Sequence, residues 1–259
     1  MSFRGRGVCD IEHCEGRSSY GQALVWVCAR NLTVRMPLDR PNSASKRFSG
    51  SGSRGSISRG NDRRNADQQT GSVTLLAKGF AESRVDLNLS GGTRSEIRNS
   101  NASPDEGNWI GSDSVVHAIA LHNCFTDASW FFPALGSLGA VATNPNVVLT
   151  YVGLESSLQH IHVYTYNAQL PAAQQLSAMD FYLDPQTLLP QVVIFNEHPD
   201  DDQTVNIAVE VMFSDYRNVN GATIPFHIQR YVNNSLTLDV ELTSSTVNSD
   251  ISDTQFSVQ

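Results

Sequence analysis

Residues 213–259 read FSDYRNVNGATIPFHIQRYVNNSLTLDVELTSSTVNSDISDTQFSVQ, and this stretch decides the fold. The run that leads into it puts Val205, Ile207, Val209, Val211 and Phe213 on one face and Asn206, Glu210 and Ser214 on the other. Such a period of two marks a half-buried strand. Asn220-Gly221 follows, a pair that tolerates positive φ at both central positions of a tight hairpin turn. Ile224, Phe226 and Ile228 then alternate with His227 and Gln229, and a second turn comes at Asn233-Asn234. Leu236, Leu238, Val240 and Leu242 alternate with Thr237, Asp239 and Glu241. The expectation is an antiparallel meander with one apolar and one wet face.

The same pattern extends towards the N-terminus. Val73, Leu75 and Ala77 alternate, as do Val85, Leu87 and Leu89, with Gly91-Gly92 linking to Thr93–Arg98. Asn99–Gly107 reads as a loop, and Trp109-Ile110 and Val115–Ala120 as short strands. Further strands are expected with Val147, Leu149 and Tyr151; Ile161, Val163 and Thr165; Met179, Phe181 and Leu183; and Val192 and Ile194. Asp184-Pro185-Gln186-Thr187 has the chemistry of the hairpin between the last two. One stretch breaks the period. Asp127 is placed to cap a helix beginning Ala128-Ser129-Trp130, with Phe131, Phe132, Leu135 and Leu138 at helical spacing and Pro133 keeping it short. About ten evenly spaced strands and a helix predict a mainly β chain: a large curved antiparallel sheet, an incomplete or closed barrel.

Charge divides the chain. The net charge of −8 is the sum of about +6 over residues 1–70 and about −14 over the remainder. An acidic body excludes a nucleic-acid-binding domain, which needs a basic face for phosphates. Residues 1–70 are rich in Arg, Ser and Gly and predict a leader outside the packed domain, disordered or translated from a misassigned start, with the domain at 71–259. Their one apolar run, Ala23–Ala29, is short for a signal-peptide core and lies behind Asp10, Glu12 and Glu15. Val27 is too large for a lipoprotein signal. No recognisable signal peptide results, and no run reaches the ~18 apolar residues of a membrane span. Cys9, Cys14 and Cys28 belong to the leader and Cys124 alone to the body, so no disulfide framework or zinc spacing is expected.

The C-terminal pattern carries a resemblance. FSDYRNVNGATIPFHIQ, a turn, a strand and an Asn-x-x-Ile-x-Asp-x-x-Phe ending (Asn248, Ile251, Asp253, Phe256) resemble the LolA/LolB-like superfamily. More narrowly they resemble bacterial outer-membrane lipoprotein-sorting proteins, over residues of about 71–259. The resemblance implies a half-barrel with one or more short helices covering its concave face, in the periplasm or cell envelope. It also implies a non-enzymatic carrier with a lipid or lipoprotein acyl chain as partner, possible further partners among envelope proteins, and no cofactor. The wall of such a cavity would draw on Leu87, Leu89, Trp130, Phe131, Leu135, Phe181, Phe213, Phe226, Leu236 and Leu238. The rival reading is a structural or interaction module of the same sheet with a filled core.

Three constellations suggest chemistry instead. His122, Cys124 and Asp127 supply base, nucleophile and acid, the ingredients of a Cys124-dependent enzyme, yet they crowd into one short stretch, and a Cys beside Phe125 and Trp130 reads as a small core residue. His160 and His162 share one strand face and, with His117 or His122, are the raw material of a metal site; alternation alone also puts polar residues there. Asp200-Asp201-Asp202 lacks the glycine and distal glutamate of a calcium loop. The reading that follows is no catalytic residue and no metal.

Overall fold

The computed structural model describes residues 24–35, 68–99 and 106–257 of the 259-residue chain. The strands run β1 Leu24–Arg35, β2 Gln68–Lys78, β3 Glu82–Leu89, β4 Gly92–Asn99, β5 Glu106–Ile110, β6 Val116–Ala118 and β7 Val147–Glu155. They continue as β8 Leu158–Thr165, β9 Met179–Leu183, β10 Pro190–Glu197, β11 Ile207–Val219, β12 Ala222–Val232, β13 Ser235–Glu241 and β14 Ser244–Val247. All join one antiparallel sheet in the order β6-β5-β4-β3-β2-β1-β13-β12-β11-β10-β9-β8-β7, with β14 pairing a second segment of β1. Among the described residues the α-helices are two short pieces, α1 Ser137–Ala140 and α2 Ala172–Leu176.

Tight turns set the register. Asn220 and Gly221 both have positive φ between the paired Val219 and Ala222. Asn233 and Asn234 do the same between Val232 and Ser235. These two-residue loops match the right-handed twist of the flanking strands. The Asp184 carboxylate accepts from the Gln186 and Thr187 amides and from the Thr187 hydroxyl, which braces the hairpin between β9 and β10.

Strands of opposite ends of the sheet meet, so the sheet is curved. β4 stands seven places from β10 in the strand order, roughly 33 Å on a flat sheet. Yet Arg98 of β4 donates to the Asn123 carbonyl at 3.0 Å, and the Asn123 amide exchanges hydrogen bonds of 2.8 and 2.9 Å with the His198 backbone just after β10. The core fills the concave side: Val73 and Leu75 of β2, Val163 of β8, Phe181 of β9, Val193 and Phe195 of β10, Val211 and Phe213 of β11, Ile228 of β12 and Val240 of β13 form one buried cluster. Among the described residues the barrel does not close, because β6 and β7 end the order without pairing. On the convex side Leu76 and Ile97 are buried beneath a short 3-10 turn, Asp253–Phe256, which lies against β3 and β4. A Lys78–Asp253 ion pair and an Arg84 bond to the Gln255 carbonyl hold that turn, so the C-terminal motif is a clasp on the outer face.

Three expectations are corrected. Leu24–Arg35 lies within the sheet between β2 and β13, and β2 begins at Gln68, so the fold does not start at Gly71. The pairing partners that make a strand of that short apolar run are far away in sequence. The rest of residues 1–70 falls outside the described residues apart from the opening of β2. On β10 the buried face carries Val193 and Phe195, not Val192 and Ile194; a run apolar at every position does not reveal its phase. On β7 Leu149 and Tyr151 are exposed, because an edge strand has a neighbour on one side only.

The two faces of β13 make a direct test. Leu238 is buried in the cluster, whereas Asp239 pairs with His227 on the outer face. Leu238→Asp forces a carboxylate into an apolar site and is expected to cost several kcal/mol, while Asp239→Leu gives up only a half-exposed ion pair and should cost no more than ~1 kcal/mol. Urea denaturation checks both, and equal losses would contradict the face assignment.

Candidate functional site

The strands β6 and β7 are consecutive in sequence and lie at opposite edges of the sheet. Their connection therefore has to cross the open side. It does so with a 3-10 turn, Leu121–Phe125, then a chain of tight turns, then α1. At its centre Trp130, Phe131 and Phe132 are buried in the concave core. Trp130 meets Phe131 edge-on at 5.3 Å, and Phe131 meets Phe132 at 5.0 Å, the favoured geometry for rings whose edges are positive and faces negative.

The expected helix over this segment is not formed as such. Turns occupy 128–131 and 133–136, and regular helix is limited to the four residues of α1. Pro133 has no N–H to bond back and blocks the preceding turn. Asp127 does act as a cap, and for two turns at once. One carboxylate oxygen accepts from the Ser129 amide at 2.8 Å and the other from the Ser137 amide at 2.5 Å. Gly136 makes room for it, since a Cβ there would lie 1.8 Å from the carboxylate. Burial pushes the Asp127 carboxyl above the usual carboxylate range, against the pull of its bonds to Ser137 and Ser129 and of Arg98. Arg98 Nη2 donates to the Thr126 carbonyl at 2.9 Å, and the Ser129 hydroxyl to the Gly79 carbonyl at 2.9 Å. The covering turn is thus tied to the β2–β3 turn, to β4 and, through Asn123, to the end of β10.

The residues expected to line a cavity are largely gathered here. Leu89, Trp130, Phe131, Phe181, Phe213, Phe226 and Leu238 belong to the buried cluster, and Leu87 and Leu135 pack against it half-buried. Leu236 is half-buried near the turn of its hairpin. Phe131 and Phe181 are wholly buried, so the covering turn fills the trough between the walls.

No family model matches the sequence, and no curated protein matches it. Solved structures do. A LolA superfamily protein from Nitrosomonas europaea is 9% identical, with a TM-score of 0.48 over 92% of this chain and 90% of that one. A domain from Vibrio parahaemolyticus assigned to outer-membrane lipoprotein sorting is 9% identical, with a TM-score of 0.47 over 92% and 90%. A DUF1329 family protein from Desulfovibrio piger is 11% identical, with a TM-score of 0.46 over 91% and 90%. Among the described residues no helix is long and apolar enough to cross a membrane.

The chemical constellations come apart. Cys124 is buried against β5, where a Cβ at Gly107 would meet its Sγ at 2.9 Å. His122 turns its Nε2 to the Pro199 carbonyl at 3.0 Å, and Asp127 is engaged by its two amides. His160 and His162 each lie 2.9 Å from one oxygen of Asp180, with Glu155 3.1 Å from His160 but not aligned as a hydrogen bond. His117 stacks on Trp109 near the far edge and His122 bonds to Pro199, so neither joins that pair. Asp202 caps Thr204 in an exposed loop.

One arrangement escaped the sequence reading. Ser214 lies 3.1 Å from His227 Nδ1, and His227 Nε2 lies 2.8 Å from Asp239, the order of groups in a serine hydrolase. The residue types stand on the wet face of three successive strands, 13 and 12 residues apart, and only the pairing Ser214↔His227 reveals them. The chemistry needs more than a relay. All three strands are interior to the sheet, so their ladders use the backbone N–H groups that would have to converge on an oxyanion.

Asp127→Ala is expected to leave two buried amides without an acceptor and to cost ~2–4 kcal/mol, visible in urea denaturation followed by tryptophan fluorescence. Cys124→Ala should cost only the small cavity left beside Gly107.

Proposed function

We propose that this chain is a non-enzymatic carrier or binder of an apolar ligand, a lipid or the acyl chains of a lipoprotein, in the bacterial cell envelope. The envelope location rests on the resemblance of the C-terminal sequence pattern. A receiving or supplying envelope protein would be its partner. The supporting observation is the way the interior is filled: Trp130, Phe131 and Phe132 complete the core from a connection, not from a strand. A strand is fixed by ladders on both sides; this turn is tied down by isolated polar contacts, those of Asp127, Arg98 and Ser129 and, by way of Asn123, the backbone at His198. Displacing it opens a trough walled by Phe181, Phe213, Phe226 and Leu238. An acyl chain of about ten methylenes entering that trough gains ~8 kcal/mol in gross transfer energy, micromolar affinity before ordering costs.

A second reading has its own observation. Phe131 and Phe181 are wholly buried, as in a module whose core is simply full. The two readings separate on Phe131→Ala in the full chain, probed with the neutral fluorophore 1-aminoanthracene and by native mass spectrometry for co-purified lipid. A carrier binds the probe as wild type, and binds it more tightly in the variant, because volume is released into the trough. A filled module binds no probe in either form and loses ~3–5 kcal/mol on truncation.

A further inference from the structure

At one end of the trough the apolar rows turn into charge. On β10 the buried series Val193, Phe195 continues to Glu197, and on β12 the series Ile224, Phe226, Ile228 continues to Arg230. Across the trough β4 contributes Glu96 and Arg98, opposite Val85 and Ser83 of β3 and so on the same face as the core residue Val85. The curl of the sheet brings these together. Arg230 donates to Glu197 at 2.5 Å, its guanidinium lies 5.6 Å from the centre of the Trp130 ring, and Arg98 Nη1 lies 3.8 Å from Glu96. Asn123, whose carbonyl accepts from Arg98, also bonds the backbone of His198, the residue after Glu197. The Glu96 side chain is 43% accessible.

The polar bookkeeping at this end is one-sided. Arg98 is almost wholly buried, and its Nε–H has no acceptor; the buried Nε–H of Arg230 has none either. What the pair lacks is acceptor oxygen. A buried donor without a partner costs free energy that an incoming acceptor removes, and a planar guanidinium suits carboxylate and phosphate oxygens best.

We propose that Arg98 and Arg230 form the head-group end of an amphiphile site, in which the trough holds an acyl chain and the two guanidinium groups hold its terminal carboxylate or phosphate. This inference rests on the carrier reading above and names its ligand class: an anionic single-chain or phospho-lipid, not a neutral one. The ligand oxygen competes with Glu197 for Arg230 beside Trp130, at the junction of head and chain. Two ionised carboxylates would oppose an anion there. Burial holds the Glu96 carboxyl above its ordinary range, although Arg98 pulls it down, which makes its charge the easier one to give up.

The test displaces 1-aminoanthracene from the full chain with dodecanoate, dodecyl phosphate, dodecan-1-ol and inorganic phosphate. Dodecanoate and dodecyl phosphate should act at concentrations roughly tenfold or more below the alcohol, and inorganic phosphate should have no effect, since a free-anion site has no use for the trough. Arg230→Gln should bring dodecanoate to the level of the alcohol without moving the alcohol, and Arg230→Lys should keep part of the difference. Glu96→Gln removes an opposing charge and should strengthen dodecanoate alone, which keeps the test open if the arginine variants fold poorly. Equal displacement by acid and alcohol, or equal loss of both in Arg230→Gln, overturns the head-group site and leaves the carrier. Displacement by inorganic phosphate overturns the amphiphile. A protein that binds neither probe nor amphiphile overturns both readings.

Discussion

One topological constraint governs this molecule: two strands consecutive in the chain stand at opposite edges of one curved sheet. Read from edge to edge, the order is a simple meander, β7 to β13 and then β1 to β6, opened between β6 and β7. The connection across that opening has no lateral strand to pair with. Its backbone groups have to be satisfied in other ways, which is the work of Asp127 and Arg98, and its side chains have to be apolar, because they face the concave side. The aromatic turn is the response to a gap that the sheet itself cannot close.

The Asp127 carboxylate carries an electrostatic cost in that position. With its ionisation shifted upward by burial, the folded state holds a proton more readily than the unfolded chain does. By linkage, the residue's contribution to stability is complete below its unfolded-state range and is lost as pH rises through its folded-state value. Its two amide bonds and the glycine at 136 offset the cost locally, and the covering turn is accordingly a place where the fold is held by a few polar contacts and not by a ladder. Such segments open more easily than the strands around them.

Much of the sheet was legible because its strands are amphipathic and their turns have strict chemistry. Asn220-Gly221 and Asn233-Asn234 fix β11, β12 and β13, and the buried rows of those strands follow from alternation. What stayed hidden depends on neighbours, not on period. Leu24–Arg35 is a strand because β2, β13 and β14 flank it. Val193 and Phe195 share a run with apolar residues of the other phase. The Ser156-Ser157 hairpin adopts positive φ at both positions without the asparagine or glycine that announces one. The buried apolar rows were read from single strands, whereas Glu96, Arg98, Glu197 and Arg230 come near one another only after the sheet has curled, and no local pattern encodes that.

The order of the strands also bears on how the chain is made. The first described strand, β1, is flanked by β2 on one side and by β13 and β14 on the other, with Asn31 opposite Glu241, about 210 residues later. A ribosome delivers the β2 flank of β1 soon after it and the other flank only roughly 200 residues later. Until the C-terminal strands emerge, the centre of the finished sheet is an open edge in the nascent chain, and the closing contacts carry the large sequence separation that slows folding. Sealing of the sheet therefore waits until β13 and β14 have emerged, and β1 to β6 are made well before the strands that complete their sheet.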